Sequence, residues 1–286
     1  GEILRTHVMR PTWHLVAAED IRWMLKLSAQ RIISANDSFA KGYDLDIPNE
    51  LYTKAHDLLE KILCGKKSLT KQEIAEHFNR SGIVADNRRM TRFMARAEQE
   101  GIICRGSKCT YALLEERVPP MPELTKDESL ARLARSYFRS HSPAVLQDFI
   151  WWSGLPVSDA KQAVYLIASE LITEQWKEQT WYIHDICRTR GKLSGHIHLL
   201  PSYDEYLLGY KDRTDVLPLE HYPKAFTNNG LFFPIVLYNG QVIGNWDKSE
   251  KKKSVDLEYS WFRQVADMNE ETLERERQKF TRFLEK

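Results

Sequence analysis

Arg10, Pro11, Thr12, Trp13 and His14 occupy five consecutive positions. They bring together a guanidinium that can pair with phosphate, a hydroxyl, an indole face for stacking and an imidazole that titrates near neutrality. The text on either side, EILRTHVMR and PTWHLV, reads as two strands, so the spacing predicts a hairpin turning at Met9–Pro11 and ending near Val16. Arg10, Thr12 and His14 are therefore candidates for supporting chemistry at its tip. A hairpin packed by Trp13, with a surface histidine, fits the same residues.

A second constellation is PSYDEYLLGYKDRTD. Here Asp204, Glu205, Asp212 and Asp215 crowd around Tyr206, Tyr210 and Arg213. It reads either as a functional loop or as a set of Asp–Arg and Tyr hydrogen bonds holding two domains together. His196 and His198 resemble half of a metal site, but no carboxylate or cysteine follows at ligand spacing, so no metal is predicted. The chain has neither a glycine-rich phosphate loop nor a GxSxG elbow, and no organic cofactor is expected.

Cations form a third pattern. Arg88, Arg92 and Arg96 fall four apart with Arg89 beside them, opposite the apolar set Met90, Phe93, Met94 and Ala97. They are expected on a solvated helical face that meets DNA phosphates or simply faces water. Arg105 and Lys108 flank the turn between GIIC and CTYALL. Lys248 and the run Lys251, Lys252, Lys253 follow the strand QVIGNW, where a lysine-tipped hairpin would either meet phosphate or guard a strand edge.

These groups need elements to hold them. Leu69–Leu113 reads as helix, tight turn at Gly82, helix and hairpin. Thr70 and Glu73 form a capping box, and the second helix starts near Asp86. That is the order of a winged helix, whose second helix can enter a DNA major groove while its wing touches the backbone. AAEDIRWMLKLSAQRII reads as an earlier helix, and the polar NDSFAKGYDLDIPNE as a turn-rich boundary near Ile47. Beyond Pro119, Pro120 and Pro122 the order repeats. A helix is capped by Thr125 and Glu128, a short one runs from Ser142-Pro143 through Trp152, a third is capped by Ser158, and LITEQW and TWYIHD make a wing. The third helix carries only Lys161 as a basic residue, which favours scaffolding over DNA contact. After Gly191 short strands follow, with a hairpin at Asn239-Gly240 and a closing helix from about Glu270. The predicted fold is α+β: tandem winged-helix domains followed by a small antiparallel β-barrel-like domain. Its segments are 1–47, 48–118, 124–186 and 187–286.

Composition sets limits on function. With 41 basic and 40 acidic residues in 286, the chain is no general DNA coat, and any nucleic-acid surface must come from local charge segregation. An apolar content of 42% supports a buried core. The four cysteines lack CxxC spacing, so free and mostly buried thiols in a reducing cytoplasm are expected. No apolar run is long enough to span a bilayer.

HVMRPTWHLVAAEDIRWML and LLPSYDEYLLGYKDR, in that order, resemble the winged-helix DNA-binding family that includes the bacterial alkylpurine DNA glycosylases AlkZ and YcaQ. The resemblance extends over nearly the whole chain. It implies three tandem winged helices and a C-terminal β-barrel around a concave DNA channel. The implied protein is a cytoplasmic monomer acting on alkylated double-stranded DNA. Members excise alkylated bases with a Gln-x-Gln or Gln-x-Asp motif near the N-terminus, and neither motif occurs in this sequence. The resemblance places it upstream of Gly1, with residues 1–16 as the wing of an incomplete first winged helix. Two expectations follow: a glycosylase of the alkyl-DNA type if that motif is present, or a non-catalytic winged-helix DNA-binding or regulatory protein. A protein-interaction scaffold is a third reading.

Overall fold

Strands β1 (Ile3–Val8) and β2 (Thr12–Ala17) form the expected antiparallel hairpin, in register from Ile3↔Ala17 to Val8↔Thr12. The structure is a computed structural model and describes residues 3–10, 12–42, 47–106, 109–188, 195–251, 254–265 and 268–284. Helix α1 (Ile21–Lys41) follows, with the Trp23 indole donating to the Asp20 carboxylate at 2.9 Å. Its buried Ile21, Leu25, Ser28 and Ile32 hold one face. It does not stop at the polar NDSFAK. Asn36, Asp37 and Phe39 continue the helix, and each makes contact with a later helix of the same unit, which corrects the turn-rich reading.

Next come α2 (Asn49–Leu63), β3 (Leu69–Thr70), α3 (Lys71–Arg80), α4 (Asn87–Gln99), β4 (Ile103–Arg105), β5 (Thr110–Leu113) and the single turn α5 (Leu114–Arg117). The Thr70–Glu73 capping box is complete. Gly82 takes φ 77°, a left-handed backbone that ends α3. The Asp86 carboxylate caps α4 by accepting from the Arg88 and Arg89 amides. Leu59, Ile74, Phe78, Met90 and Phe93 pack these helices over the small sheet β3-β5-β4.

The remaining elements are α6 (Lys126–His141), β6 (Ala144–Val145), α7 (Leu146–Ser153), α8 (Val157–Leu166), β7 (Leu171–Trp176), β8 (Gln179–His184), β9 (Ile197–Leu200), α9 (Glu205–Leu208), α10 (Tyr222–Ala225), β10 (Ile235–Tyr238), β11 (Gln241–Lys251), β12 (Ser254–Trp261) and α11 (Glu270–Leu284). Thr125 and Glu128 cap α6 reciprocally. Two boundaries differ from expectation. Ala144 and Val145 pair with Tyr182 and Trp181 before the short helix starts. The helix expected to be capped by Ser158 instead follows Pro156, ends at Leu166, and gives way to a 3-10 turn over Ala168–Glu170.

Two compact units divide the chain. One comprises Gly1–Tyr137 with Ser153–Glu170, the other Phe138–Trp152 with Leu171–Lys286. The second unit carries the sheet β6-β8-β7 and the four-stranded antiparallel sheet β12-β11-β10-β9. Asn239 (φ 49°) and Gly240 (φ 78°) supply the tight turn between β10 and β11. Strand alternation sends Val236 and Trp246 toward a core shared with Phe280 of α11. Ile235 and Leu237 face a second core with Leu207 and Leu217. Among the described residues β9 and β12 do not pair with each other. The sheet is open where a curled sheet or barrel is expected from the sequence.

The cysteines are free, but only Cys104 is fully buried, with burial pushing its thiol up to about 11. Cys64 and Cys109 are exposed and Cys187 half-buried, which corrects the expectation of mostly buried thiols. Cys104 pairs across the hairpin with Ala112, not Cys109.

Candidate functional site

In the first unit the β1–β2 hairpin packs through Trp13. The His7 ring lies 3.7 Å from the indole, and the guanidiniums of Arg5 and Arg105 lie over it at 4.2 and 4.7 Å. Arg105 also faces the Tyr111 ring at 4.1 Å. Beneath them is the buried carboxylate of Glu98, 2.8 Å from His7 Nδ1 and 3.5 Å from Arg105 Nε. The Gln99 amide donates to the His7 carbonyl at 2.8 Å. A buried carboxylate needs such partners, and the His7 ring nitrogen and the Arg105 guanidinium supply them from the hairpin and from β4. Arg105, expected to reach for phosphate, is held by two rings and a carboxylate.

The hairpin tip is itself built by hydrogen bonds. Met9 takes φ 59°, and its carbonyl accepts from Arg31 Nη2. The Thr12 amide donates to the Arg10 carbonyl at 2.7 Å, and His14 Nδ1 lies 3.0 Å from the Thr12 carbonyl. A Cβ on Gly154, which has φ 64°, would stand 3.3 Å from both Arg10 Cγ and the Met9 carbonyl. That close approach explains glycine there. Thr12 is exposed, while Arg10 and His14 are half-buried; Thr12 opens β2 opposite Val8, and His14 lies two residues further along it opposite Thr6. Pro11 lies outside the described residues.

The arginine stripe of α4 is not one solvated face. Arg88 is exposed, and Arg89 stands 3.8 Å from Asp86. Arg92, however, donates to the Asn36 carbonyl at 2.6 Å and lies 5.9 Å from the Phe39 ring. Arg96 pairs with Asp37 at 3.1 Å and with Glu100, over the Tyr52 ring at 5.1 Å. The continuation of α1 therefore consumes half of the stripe. Lys248 is exposed on β11. Lys108, Lys252 and Lys253 lie outside the described residues, as does the side chain of Lys251.

In the second unit the motif around Asp204 is a hydrogen-bonded scaffold. Asp204 caps α9 by accepting from the Tyr206 amide at 2.9 Å. The Tyr206 hydroxyl donates to the Gly240 carbonyl at 2.6 Å, and that of Tyr210 to the His141 carbonyl at 2.9 Å. Burial, with Asp148 nearby, pushes the Tyr210 phenol up to about 12. Arg213 is buried. Its Nε donates to the Leu207 carbonyl, and its guanidinium lies 5.0 and 5.3 Å from the rings of Phe226 and Phe232. Asp148 on α7 accepts from the Lys211 amide at 2.9 Å and the Val145 amide at 3.1 Å, and burial raises its pKa.

Between this loop and the β7–β8 hairpin lies a cavity of about 790 Å³. One wall is the face of the hairpin that carries Glu174, Trp176, Gln179 and Trp181. The other is the loop Tyr210–Val216, with Asp148 also lining the space. Lys177 spans the rim to Asp215 at 2.7 Å. Sequence reasoning missed Asp148, Trp176, Lys177 and Trp181. The alternation in WKEQTW was the available signal. His196 and His198 are both exposed, and among the described residues no group of three or more His, Cys, Asp or Glu side chains is placed to hold a metal. Among the described residues no helix is long and apolar enough to cross a membrane.

Comparison with known proteins places this α+β chain among DNA-repair proteins. A solved structure of the DNA glycosylase AlkZ from Streptomyces sahachiroi superposes with a TM-score of 0.75 over 96% of this chain and 77% of that one. At 20% identity the likeness shows a shared fold. An interstrand DNA cross-link repair glycosylase from the same organism is 24% identical over 278 residues, covering 86% of this chain and 70% of the relative. The sequence profile of the AlkZ-like DNA glycosylases matches residues 1–283, and the chain belongs to that family.

Proposed function

We propose that this chain is the DNA-binding body of a bacterial, cytoplasmic, monomeric glycosylase that hydrolyses the N-glycosidic bond of alkylated bases in double-stranded DNA. The family match over residues 1–283 carries the reading. The helix–helix–hairpin order of α2–β5 and of α6–β8 supports winged helices, and the segments 1–47, 48–118, 124–186 and 187–286 are the proposed domain layout, the last built on the open sheet β12-β11-β10-β9. An N-alkylated purine is already cationic, so its glycosidic bond is labile. Positioning a water and stabilising an oxocarbenium-like sugar is sufficient catalysis. The Arg10–Thr12–His14 tip is the proposed supporting group. Arg88 and Arg89, joined by Lys108, Lys248 and Lys251–Lys253, are the proposed phosphate contacts.

The family's glutamine motif is in none of these 286 residues, and the reading assigns bond cleavage to that motif where the polypeptide carries it. The test is a duplex with a single N7-methylguanine, scored for release of free base and for duplex binding. Release supports the glycosylase. Tight binding without release favours a non-catalytic DNA-binding protein, and loss of both rejects the reading.

A further inference from the structure

We propose that the cavity between the β7–β8 hairpin and the Tyr210–Val216 loop is a binding site for a planar, positively charged heteroaromatic ring. Three features of the second unit carry this. The first is size: about 790 Å³ accommodates a nucleoside, within the range usual for small-molecule sites. The second is the apolar wall. Trp176 and Trp181 stand on the same face of the hairpin, their rings 5.4 Å apart, and Trp176 is half exposed. Tryptophan is the side chain whose face attracts cations most strongly.

The third is the charge balance of the lining. Four carboxylates, Asp148, Glu174, Asp212 and Asp215, meet three cations, Lys177, Lys211 and Arg213. Lys177 and Asp215 neutralise one another at 2.7 Å, and Arg213 is buried against rings and backbone carbonyls. Lys177 also stands 4.1 Å from the Trp176 ring, which shows that this indole face attracts a cation. It acts on Asp212 as well, so Asp148, Glu174 and Asp212 face Lys211 and a Lys177 shared with Asp215. Asp212 is held ionised by the amide and hydroxyl of Thr214. A neutral ring would satisfy the indoles but leave this excess charge unanswered, whereas a cationic ring satisfies both. Identifying the ring as an N-alkylated purine rests on the glycosylase reading. The site's chemistry does not.

Titration calorimetry with 7-methylguanosine in mildly acidic buffer, where its ring is cationic, tests the proposal without DNA. Guanosine serves as the uncharged comparison. Saturable binding of the methylated nucleoside, at least several-fold tighter than guanosine, is expected. Trp176→Ala should weaken it by roughly five- to thirtyfold. Trp176→Phe should restore part of the affinity, and Asp212→Asn should narrow the preference for the cation. Trp176 is half exposed, so these variants leave the fold intact, which circular dichroism checks. No saturable binding, equal binding of both nucleosides, or full affinity in Trp176→Ala overturns the site. Base release from duplex DNA is a separate readout, so failure here and failure of the glycosylase reading remain distinguishable.

Discussion

Arg105 of β4 lies 4.7 Å from the indole of Trp13 on β2, joining the hairpin that carries Arg10, Thr12 and His14 to the small sheet of the first unit. The pair is an anchor, because Arg105 also faces Tyr111 and stands by the buried Glu98. A double-mutant cycle with Arg105→Ala and Trp13→Ala should give a coupling of about 0.5–2 kcal/mol in thermal or urea unfolding. Additive effects would show that the contact contributes nothing.

Arg88 and Arg89 are the stripe residues not engaged by α1. Replacing both with Ala should leave stability within about 0.5 kcal/mol. It should also lower the dependence of duplex affinity on log salt by about one to two. Unchanged affinity and slope would move the DNA surface elsewhere. Arg96→Ala is the opposite case: it removes contacts to Asp37, Glu100 and Tyr52, so unfolding should respond first.

His56 on α2 is buried with its Nδ1 3.1 Å from Glu100. Burial lowers its pKa despite the attraction of Glu100, Asp57 and Glu60, and Arg96 pushes the same way as burial. The folded state therefore keeps His56 neutral while the unfolded chain takes up a proton at about 6.5. Its contribution to stability is complete above that value and is lost as pH falls toward the depressed folded pKa. Urea midpoints should drop on acidification through this window, and His56→Gln should flatten the slope. An unaltered slope in the variant would assign the effect to other groups.

Local signals made much of the fold legible. The capping residues Thr70, Asp86 and Thr125, the left-handed Gly82 and the Asn239-Gly240 turn each act within a few residues, and the structure has them in place. What stayed hidden depends on partners distant in sequence. Asn36–Lys41 is polar, and it is helical with Asn36, Asp37 and Phe39 meeting Arg92 and Arg96 more than fifty residues later. The hairpin that carries Arg10, Thr12 and His14 was visible because its two strands and turn are neighbours in sequence. The cavity was not, because Asp148 and Trp181 meet only after the chain has turned through two further elements.

Gly209 shows the same limit at one residue. A Cβ there would lie 2.6 Å from the His141 ring nitrogen Nε2 and 2.8 Å from the Glu205 carbonyl. Gly209→Ala should cost about 1–3 kcal/mol, since the backbone oxygen cannot move aside. His141→Ala in the same chain should recover only the part due to the ring. Wild-type stability of Gly209→Ala would disprove this close packing.

Asp148 offers the most direct test of the scaffold around the cavity. Its two oxygens accept from two backbone amides, those of Val145 and Lys211, far apart in sequence. Asparagine has nearly the same shape but only one acceptor oxygen, so its NH2 would confront one of those amides. A buried amide left without an acceptor costs about 1–3 kcal/mol. Over a chain of this size that corresponds to a fall in Tm of about 2–12 °C, depending on how much of the chain unfolds cooperatively. The loss should centre on the loop near Lys211, so hydrogen exchange should quicken at the Val145 or Lys211 amide before it does in β10. An Asp148→Asn protein with unchanged Tm and unchanged exchange at both amides would show that the carboxylate does not hold the loop, and that the wall of the cavity is set elsewhere.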